Sequence, residues 1–332
     1  MKTQLIAEIA QAHDGSLGIL HSYIDALADT GIQTIKFQVH IADAESSEYE
    51  SFRVPFSYVD KTRKDYWKRM EFTKEQWIEI KQHCEEKKLE FLATPFCIAA
   101  VELLEELNVN RFKIGSGSIN DLLLIDRIAS TKKSIILSSG MSDWNELESA
   151  IKYIQKFHNQ ISILQCTTAY PCPPEQLGLG LLMEFKSRFQ LPVGFSDHSG
   201  CIYSGIAAVA LGAELLEFHV TFDKSMFGPD AKASLTIDEV SELVEAISFV
   251  EQAISETDLK NDSVQFSEIK KNFGQSLSVN KDLKKKHIIV KEDLESKKPA
   301  GHGIPSNEFE KLIGRELIRD LSKYDFINWS DV

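Results

Sequence analysis

Two histidines and a carboxylate stand at the ends of two neighbouring predicted strands. Glu217 and His219 are two residues apart in one strand, and Ser196 and His198 have the same spacing at the end of the preceding strand. Side chains alternate between the faces of a strand, so both members of each pair point to one face. Two imidazoles beside a carboxylate suit a divalent Mn, Zn, Co or Fe ion that polarises a carbonyl. The alternative is that each histidine has a structural role.

Two lysines lie in predicted strands that are otherwise apolar. They are Lys36 and Lys113, and because a buried ammonium without a partner is costly, each needs a carboxylate or an anionic ligand. Hydroxyl side chains and glycine-flanked backbone follow neighbouring strands, at Ser116, Ser138 and Ser196 and at residues 115–117 and 138–140. This combination favours a ligand that carries a phosphate and a carboxylate. A Schiff-base lysine is the alternative interpretation.

Eight short apolar runs must position these side chains. They are residues 5–10, 34–39, 89–94, 111–115, 134–139, 161–166, 192–196 and 214–220, with amphipathic stretches of helical periodicity between them. Eight strand–helix units in one run fit an α/β fold of the (β/α)8 TIM-barrel type better than an open doubly wound sheet. The active site of such a barrel lies at the C-terminal ends of its strands. Further polar residues occupy those ends, namely Glu8, Gln38, Thr94 and Tyr170.

Three segments depart from the simple alternation of strands and helices. Residues 41–72 form a long polar and aromatic insertion, which is typical of a lid or a binding wall, with a solvated excursion as the alternative. Residues 256–272 are polar and are expected to be a linker. Residues 273–332 alternate β-prone runs with turns, which predicts a small β-rich domain after a barrel over residues 1–255.

The composition excludes several classes of partner. The formal net charge is -13, with 50 acidic and 37 basic residues, which argues against nucleic acid or an anionic membrane as a ligand. Glu8 interrupts the only candidate for a signal peptide, and no uncharged apolar run approaches the roughly 20 residues that span a bilayer. Five cysteines without a CxxC pair indicate reduced thiols and therefore a cytoplasmic protein: Cys84, Cys97, Cys166, Cys172 and Cys201.

The same residues lie within ordered motifs that resemble the N-acetylneuraminate (sialic acid) synthase family over almost the whole chain. The motifs are IAEIAQAHDG (6–15), IKFQ (35–38), ATPF (93–96), KIGSGS (113–118), LSSGM (137–141), QCTTAYPCPPE (165–175), VGFSDHSG (193–200), LEFHVTFD (216–223) and GPDAKAS (228–234). KKPAGHGI (297–304) is similar to the KRPGxGI element of the antifreeze-like, or SAF, domain that ends these synthases. Each motif alone is weak, but their order is specific.

The resemblance implies a role for individual residues. His198 and His219 would bind a divalent metal, Mn²⁺ in the first place and Mg²⁺ or Co²⁺ as alternatives, and Glu8 would act as an acid–base or orienting group. Phosphoenolpyruvate would be held by Lys36, Thr94, Lys113, Ser116, Ser138 and Ser196. Gln38 would also bind substrate, and the sugar or the groups behind it would be contacted by Thr168, Tyr170, Glu217 and Asp230. The family also implies a domain-swapped homodimer in which Lys298 reaches the partner's sugar site.

The implied reaction joins C3 of phosphoenolpyruvate to the aldehyde of an N-acylated mannosamine-type sugar. Water then attacks C2, and phosphate leaves by C–O cleavage. Three positions depart from the family pattern: Ala12 stands for an asparagine, Ser118 for an acidic residue and Lys298 for an arginine. Both N-acetylmannosamine and a diacetamido-trideoxy hexose therefore remain open as substrates. Another barrel aldolase, a metal-dependent isomerase and a non-catalytic sugar-binding homologue are the alternative functions.

Overall fold

The computed structural model describes residues 2–255 and 264–332, which form two compact units, Met1–Ser255 and Glu256–Val332. Within residues 2–255, eight parallel strands follow one another in sequence order, and the first pairs with the eighth, so the sheet closes into a barrel. The strands are β1 (Gln4–Glu8), β2 (Thr34–Val39), β3 (Glu90–Pro95), β4 (Arg111–Ile114), β5 (Ser134–Ser138), β6 (Ile161–Cys166), β7 (Val193–Asp197) and β8 (Leu215–Thr221). The predicted TIM barrel is confirmed.

Helices follow the strands around the outside of the barrel. Those of the first unit are α1 (Leu17–Ala28), α2 (Ala42–Glu45), α3 (Arg63–Met70), α4 (Lys74–Glu86), α5 (Ile98–Glu106), α6 (Leu122–Ser130), α7 (Trp144–Ile154), α8 (Leu181–Phe189), α9 (Ile202–Ala210) and α10 (Ile237–Ser255), and β9 (Leu235–Thr236) pairs with the end of β8. The predicted strand ranges agree with the structure to within two residues at each end. β1 ends earlier than predicted because Ala10 adopts a left-handed conformation, with φ 47°.

An apolar layer closes the barrel below the polar strand ends. It consists of Ile6, Leu92, Ile136, Leu164 and Leu215, which contact one another and are buried. Each of these residues comes two positions before a polar residue or a cysteine in its own strand. Residues two apart in a strand lie on the same face, so the apolar layer packs directly beneath the side chains at the barrel mouth. The backbones of β7 and β8 approach closely here, since a Cβ on Gly194 would lie 2.3 Å from the Leu215 carbonyl oxygen.

The 41–72 insertion is folded against its own aromatic core. Ala42, Tyr66, Trp67 and Met70 are buried together, with Phe52 and Phe56 packed against them. α3 begins after a capping box in which the Thr62 hydroxyl accepts from the Asp65 N–H and the Asp65 carboxylate accepts from the Thr62 N–H. Arg69 at the end of α3 binds Asp60, with 2.8 Å between Nη2 and Oδ2, and also binds Asp14 after β1. The insertion is therefore attached to the barrel mouth.

The second unit contains a small β-rich core. β10 (Ser276–Val279) pairs antiparallel with β11 (Leu294–Lys297), and the core is formed by Leu277, Val279, Leu283, Ile289, Ile304, Leu312, Leu317, Leu321 and Ile327. Of the predicted linker, residues 256–263 lie outside the described residues. Its remaining part carries a 3-10 turn at Val264–Phe266 and the helix α11 (Ser267–Phe273). Among the helices of the described ranges, none has the length and apolarity needed to cross a bilayer.

Candidate active site at the barrel mouth

A cavity of about 400 Å³ opens at the C-terminal ends of the strands. It brings together thirteen of the residues singled out in the sequence: Lys36, Gln38, Thr94, Lys113, Ser116, Ser138, Thr168, Tyr170, Ser196, His198, Glu217, His219 and Asp230. Glu8 lies behind this surface. Lys298 lies in the second unit, where its ammonium nitrogen is 5.2 Å from the centre of the Phe273 ring.

The floor of the cavity is organised by one carboxylate. Glu217 accepts from Lys113 Nζ at 3.0 Å through Oε1 and at 2.9 Å through Oε2. Lys36 Nζ is 3.3 Å from Oε1, and the Ser196 hydroxyl donates to the same oxygen at 3.0 Å. Burial alone would raise the pKa of Glu217, but Lys113 and Lys36 overcome it and hold that pKa far below its ordinary value. Glu217 is therefore an anion that fixes both ammonium groups.

Glu8 is buried directly behind this floor. It is 0% exposed, its Oε2 is 2.7 Å from Lys36 Nζ, and its Oε1 accepts from Gln38 Nε2 at 2.9 Å. Burial raises the pKa of Glu8 above its ordinary value, although Lys36 opposes that shift. The structure thus places Glu8 against Lys36 and Gln38, two groups that do face the cavity.

Hydroxyl groups form a cradle on the side of β5. A Cβ added to Gly140 would lie 2.6 Å from Ser116 Oγ and 2.7 Å from Thr168 Oγ1, so any other residue at this position would displace these hydroxyls. Ser138 Oγ and Thr168 Oγ1 are buried and have no hydrogen-bond partner within the described parts of the chain. Buried hydroxyls are nearly always hydrogen-bonded, so these two indicate a polar ligand.

The two predicted metal ligands lie side by side on the opposite wall. The ring centres of His198 and His219 are 5.2 Å apart, with 71° between the planes. His198 Nδ1 is 2.8 Å from the Thr167 carbonyl oxygen, so this nitrogen carries a proton, and Nε2 is 3.1 Å from the Tyr170 hydroxyl. Burial lowers the pKa of His219 well below its ordinary value, which leaves a neutral imidazole. His219 Nδ1 is 3.9 Å from Asp230 Oδ2.

These two imidazoles fit a metal that takes its other ligands from water or substrate. Within residues 2–255 and 264–332, no group of three or more His, Cys, Asp or Glu side chains has metal-binding spacing. The chain can therefore offer two imidazole rings at this point. Such a set leaves open positions, as catalytic metal sites do.

One wall of the cavity was not anticipated residue by residue. His40, directly after β2, is stacked between Trp67 and Phe96, with ring centres 3.9 Å and 4.6 Å away. Its Nδ1 is 2.6 Å from Glu45 Oε1 and its Nε2 is 3.2 Å from Gln38 Oε1. Gln11 Nε2 is also 3.3 Å from His40 Nε2, so the ring is held between Glu45, Gln38 and Gln11.

Two arginines of the insertion complete the rim. Arg53 Nη2 is 3.0 Å from Asp230 Oδ1, and its guanidinium carbon lies 4.2 Å from the centre of the Tyr170 ring. Arg63 lies 4.4 Å from the centre of the Trp67 ring, and its Nε is 3.5 Å from Glu50 Oε1. The sequence signal for this wall was the aromatic content of residues 41–72, which favoured a binding wall without indicating which side chains form it.

Comparison with known proteins finds that the chain is similar to proteins named as legionaminic acid and N-acetylneuraminate-9-phosphate synthases. The model of the NeuB family matches residues 23–258, and that of the SAF domain matches residues 274–332. The N,N'-diacetyllegionaminic acid synthase of Campylobacter jejuni is 33% identical over 98% of this chain and 99% of its own length. The human N-acetylneuraminate-9-phosphate synthase is 29% identical over 97% of this chain and 90% of its own.

A solved structure shows the same similarity. It is that of N-acetylneuraminic acid synthetase from Leptospira borgpetersenii in complex with citrate. It is 28% identical, covers 81% of this chain and 90% of its own, and superposes with a TM-score of 0.72. The predicted family and the two predicted domain types are therefore confirmed.

Proposed function

This chain belongs to the NeuB family, and from that premise we propose that it is a nonulosonic acid synthase, a transferase that condenses phosphoenolpyruvate with an N-acylated mannosamine-type sugar. The observation that carries the proposal is the floor of the cavity. Lys36 and Lys113 share Glu217 there, next to the unpartnered hydroxyls of Ser138 and Thr168. Two ammonium groups and free hydroxyls suit a ligand with a carboxylate and a phosphate.

The substrate phosphoenolpyruvate has both of these anionic groups. Lys36 and Lys113 neutralise them, and the Ser138 hydroxyl, which has no partner among the described residues, donates to their oxygens, while Thr94, Ser116 and Ser196 line the same floor. Because Glu217 is anionic and fixes both ammonium groups, the floor is preorganised before the ligand enters. The reaction forms a bond between C3 of phosphoenolpyruvate and the aldehyde carbon of the open-chain sugar. Water adds to C2, and the resulting tetrahedral carbon expels inorganic phosphate by C–O cleavage.

A buried proton-exchanging pair adjoins this floor. Glu8 is 2.7 Å from Lys36 and has a raised pKa, so the pair can hold or give up a proton with little movement of heavy atoms. Gln38 connects Glu8 to the surface of the cavity. Glu8 therefore acts through Lys36 and Gln38 and sets their charge and orientation.

We also propose that His198 and His219 hold a divalent metal, Mn²⁺ in the first place, with Mg²⁺ or Co²⁺ as alternatives. When bound, such an ion supplies a Lewis acid for the aldehyde oxygen of the sugar. The Thr167 carbonyl orients the His198 ring, and Asp230 lies beside His219. Tyr170 packs against both rings, with centres 4.1 Å and 5.7 Å away, and holds them in place.

The direct test is consumption of phosphoenolpyruvate and release of phosphate with a panel of N-acyl amino sugars, with and without a chelator. We expect turnover that stops on chelation and returns with Mn²⁺. Turnover that resists chelation, together with covalent trapping of sugar or pyruvate by borohydride, would establish a Schiff-base aldolase instead. Absence of turnover with every sugar, despite binding, would identify a sugar-binding homologue.

A further inference from the structure

A pair of histidines lies between two helices on the outside of the barrel. His21 of α1 and His83 of α4 place their Nδ1 atoms 2.8 Å apart, and their ring centres are 4.9 Å apart with 44° between the planes. The two side chains are 22% and 18% exposed, so the pair is not sealed within the core. Neither residue is among those that line the cavity at the strand ends. The pair is therefore separate from the site described above.

Each of the two rings has a carboxylate near its other nitrogen. His83 Nε2 is 3.2 Å from Asp25 Oδ1, which also contacts Lys87 Nζ at 2.6 Å. His21 Nε2 is buried without a hydrogen-bond partner in the described parts of the chain, and Glu79 Oε1 lies 3.4 Å from it. Since the Glu79 side chain is 62% exposed, a small turn of it closes this contact. Histidines that bind a metal through one nitrogen usually donate the other N–H to a carboxylate, a carbonyl or a water.

The two facing nitrogens can share one hydrogen at most. At 2.8 Å, one Nδ1 must accept, because two N–H groups directed at each other would bring their hydrogens into contact. At least one lone pair is therefore directed at the neighbouring ring. A divalent metal ion that displaces the shared hydrogen can use the lone pairs of both nitrogens.

The separation of the nitrogens selects the geometry of such an ion. Imidazole nitrogens bind divalent transition metals at about 2.0–2.1 Å, so two ligands at a right angle lie about 2.9 Å apart and two ligands of a tetrahedral ion about 3.4 Å apart. The observed 2.8 Å fits the right angle, which neighbouring ligands of square-planar and octahedral ions make. Both rings must turn slightly toward the ion, and the torsion that turns a histidine ring has a broad minimum.

We propose that His21 and His83 form a second metal site, which binds a divalent ion of the copper or nickel type between α1 and α4. Asp25 and Glu79 orient the rings by accepting from their Nε2 atoms, and water completes the coordination of the ion. Because both nitrogens meet only when the two helices are packed, the ion stabilises the folded barrel by mass action. The site has no part in the synthase reaction proposed above.

The test is a calorimetric titration of the full chain with Ni²⁺, together with thermal unfolding at several Ni²⁺ concentrations. We expect His83→Asn to bind one ion fewer per chain than the wild type, to gain less thermal stability from Ni²⁺ and to consume phosphoenolpyruvate at the same rate. His21→Asn should behave in the same way and provides the test if His83→Asn does not fold. His158→Asn, at the end of another helix, should bind as many ions as the wild type. Equal numbers of bound ions in the wild type and in a folded His21 or His83 variant would overturn the proposal.

Two variants of α1 and its end test the role of the neighbouring carboxylate. Asp25→Asn removes the charge beside His83 Nε2 and should lower the affinity for Ni²⁺ about tenfold. Asp29→Asn removes the same charge at the C-cap of α1, one turn further along, and should change the affinity less than about twofold. Equal Ni²⁺ affinities of the two variants would refute the role given to Asp25.

Discussion

At the scale of single residues, the chemistry depends on how two buried ammonium groups are kept charged. Glu217 is 3% exposed and contacts Lys36, Lys113 and Ser196. Without its charge, the two lysines would repel each other in a desolvated site, and Lys113, whose pKa is already lowered by burial, would lose its proton first. Glu217 therefore serves both stability and the binding of an anionic substrate.

The first prediction is that Glu217→Gln lowers the free energy of unfolding by about 3 kcal/mol, because it leaves two buried ammonium groups without their partner. It should also lower kcat/KM for phosphoenolpyruvate by about 100-fold or more. Urea denaturation and initial rates measure the two effects. Glu214→Gln is the matched control, since Glu214 precedes the same strand and its carboxylate is 3.7 Å from Lys186. Equal behaviour of both variants would contradict the role given to Glu217.

At the scale of elements, the position of the 41–72 insertion depends on the loop after β1. Gly15 has φ +75°, and a Cβ there would lie 2.2 Å from the Arg69 carbonyl oxygen at the end of α3. Any side chain must therefore push α3 away from the barrel mouth. Because α3 carries Tyr66 and Trp67 of the cavity wall, a change at Gly15 is transmitted to the site.

The second prediction is that Gly15→Ala lowers the stability by about 2 kcal/mol and raises KM for the sugar more than KM for phosphoenolpyruvate. Gly18→Ala is the control, because Gly18 lies in α1 with nothing nearer to its added Cβ than Ser16 Oγ at 4.0 Å. That variant should be neutral or stabilise by up to about 1 kcal/mol, as alanine favours a helix. Thermal unfolding and two-substrate kinetics decide, and a Gly15→Ala protein as stable as Gly18→Ala would disprove the argument.

Within the second unit, a buried carboxylate connects two turns. Asp293 is fully buried and receives Lys281 Nζ at 2.7 Å, His287 Nε2 at 2.6 Å and the Val290 N–H at 3.0 Å. Burial would raise the pKa of Asp293, but these donors lower it to about 2, against an ordinary value of 3.8. Because the pKa of Asp293 is lower in the folded than in the unfolded state, its ionised carboxylate stabilises the fold at a pH above the unfolded pKa. This contribution is lost as the pH falls from about 4 toward 2.

The third prediction is that Asp293→Asn removes about 2 kcal/mol from the second unit at pH 7 and flattens its loss of stability between pH 4 and pH 2. Hydrogen exchange of residues 276–332 in the full chain, followed by mass spectrometry, measures both effects. Asp282→Asn, at an exposed carboxylate that accepts from the Lys323 backbone N–H, is the control. An unchanged acid profile in Asp293→Asn would show that another group causes the loss.

The elements themselves could be predicted from sequence more fully than the contacts between them. Alternation and apolar runs are local properties, so all eight barrel strands could be predicted from them. The contact of Lys113 with Glu217 joins residues 104 apart and depends on the closure of the barrel. The pairing of His40 with Glu45 and the positions of Arg53 and Arg63 depend on how the insertion packs, which no local pattern specifies.

At the scale of the whole molecule, we propose a domain-swapped homodimer in which Lys298 reaches the sugar site of the partner. A β-rich unit of this size is marginally stable alone. Exchange of an identical element between two protomers forms a twofold dimer from contacts that each protomer can already make. Lys298 would act as a point charge where the family has a bidentate arginine.

The fourth prediction is complementation. Lys298→Glu and His219→Ala should each be inactive alone, and mixing them under conditions of subunit exchange should restore activity, because each mixed dimer then has one intact site. Lys297→Glu changes the last residue of β11, directly before Lys298. This variant should remain active alone and serves as the control. Confirmed exchange with no recovery would mean that the small domain serves its own barrel.

The central claim is that this site joins phosphoenolpyruvate to a sugar with cleavage of the C–O bond. Phosphoenolpyruvate labelled with ¹⁸O in its C–O–P bridge tests that claim directly, by mass spectrometry of both products after reaction with an N-acyl mannosamine-type sugar. The account predicts that the label leaves with inorganic phosphate and that the sugar acid gains three carbons and an unlabelled C2 oxygen from water. Label retained at C2 of the acid, or phosphate released without a new carbon–carbon bond, would contradict it.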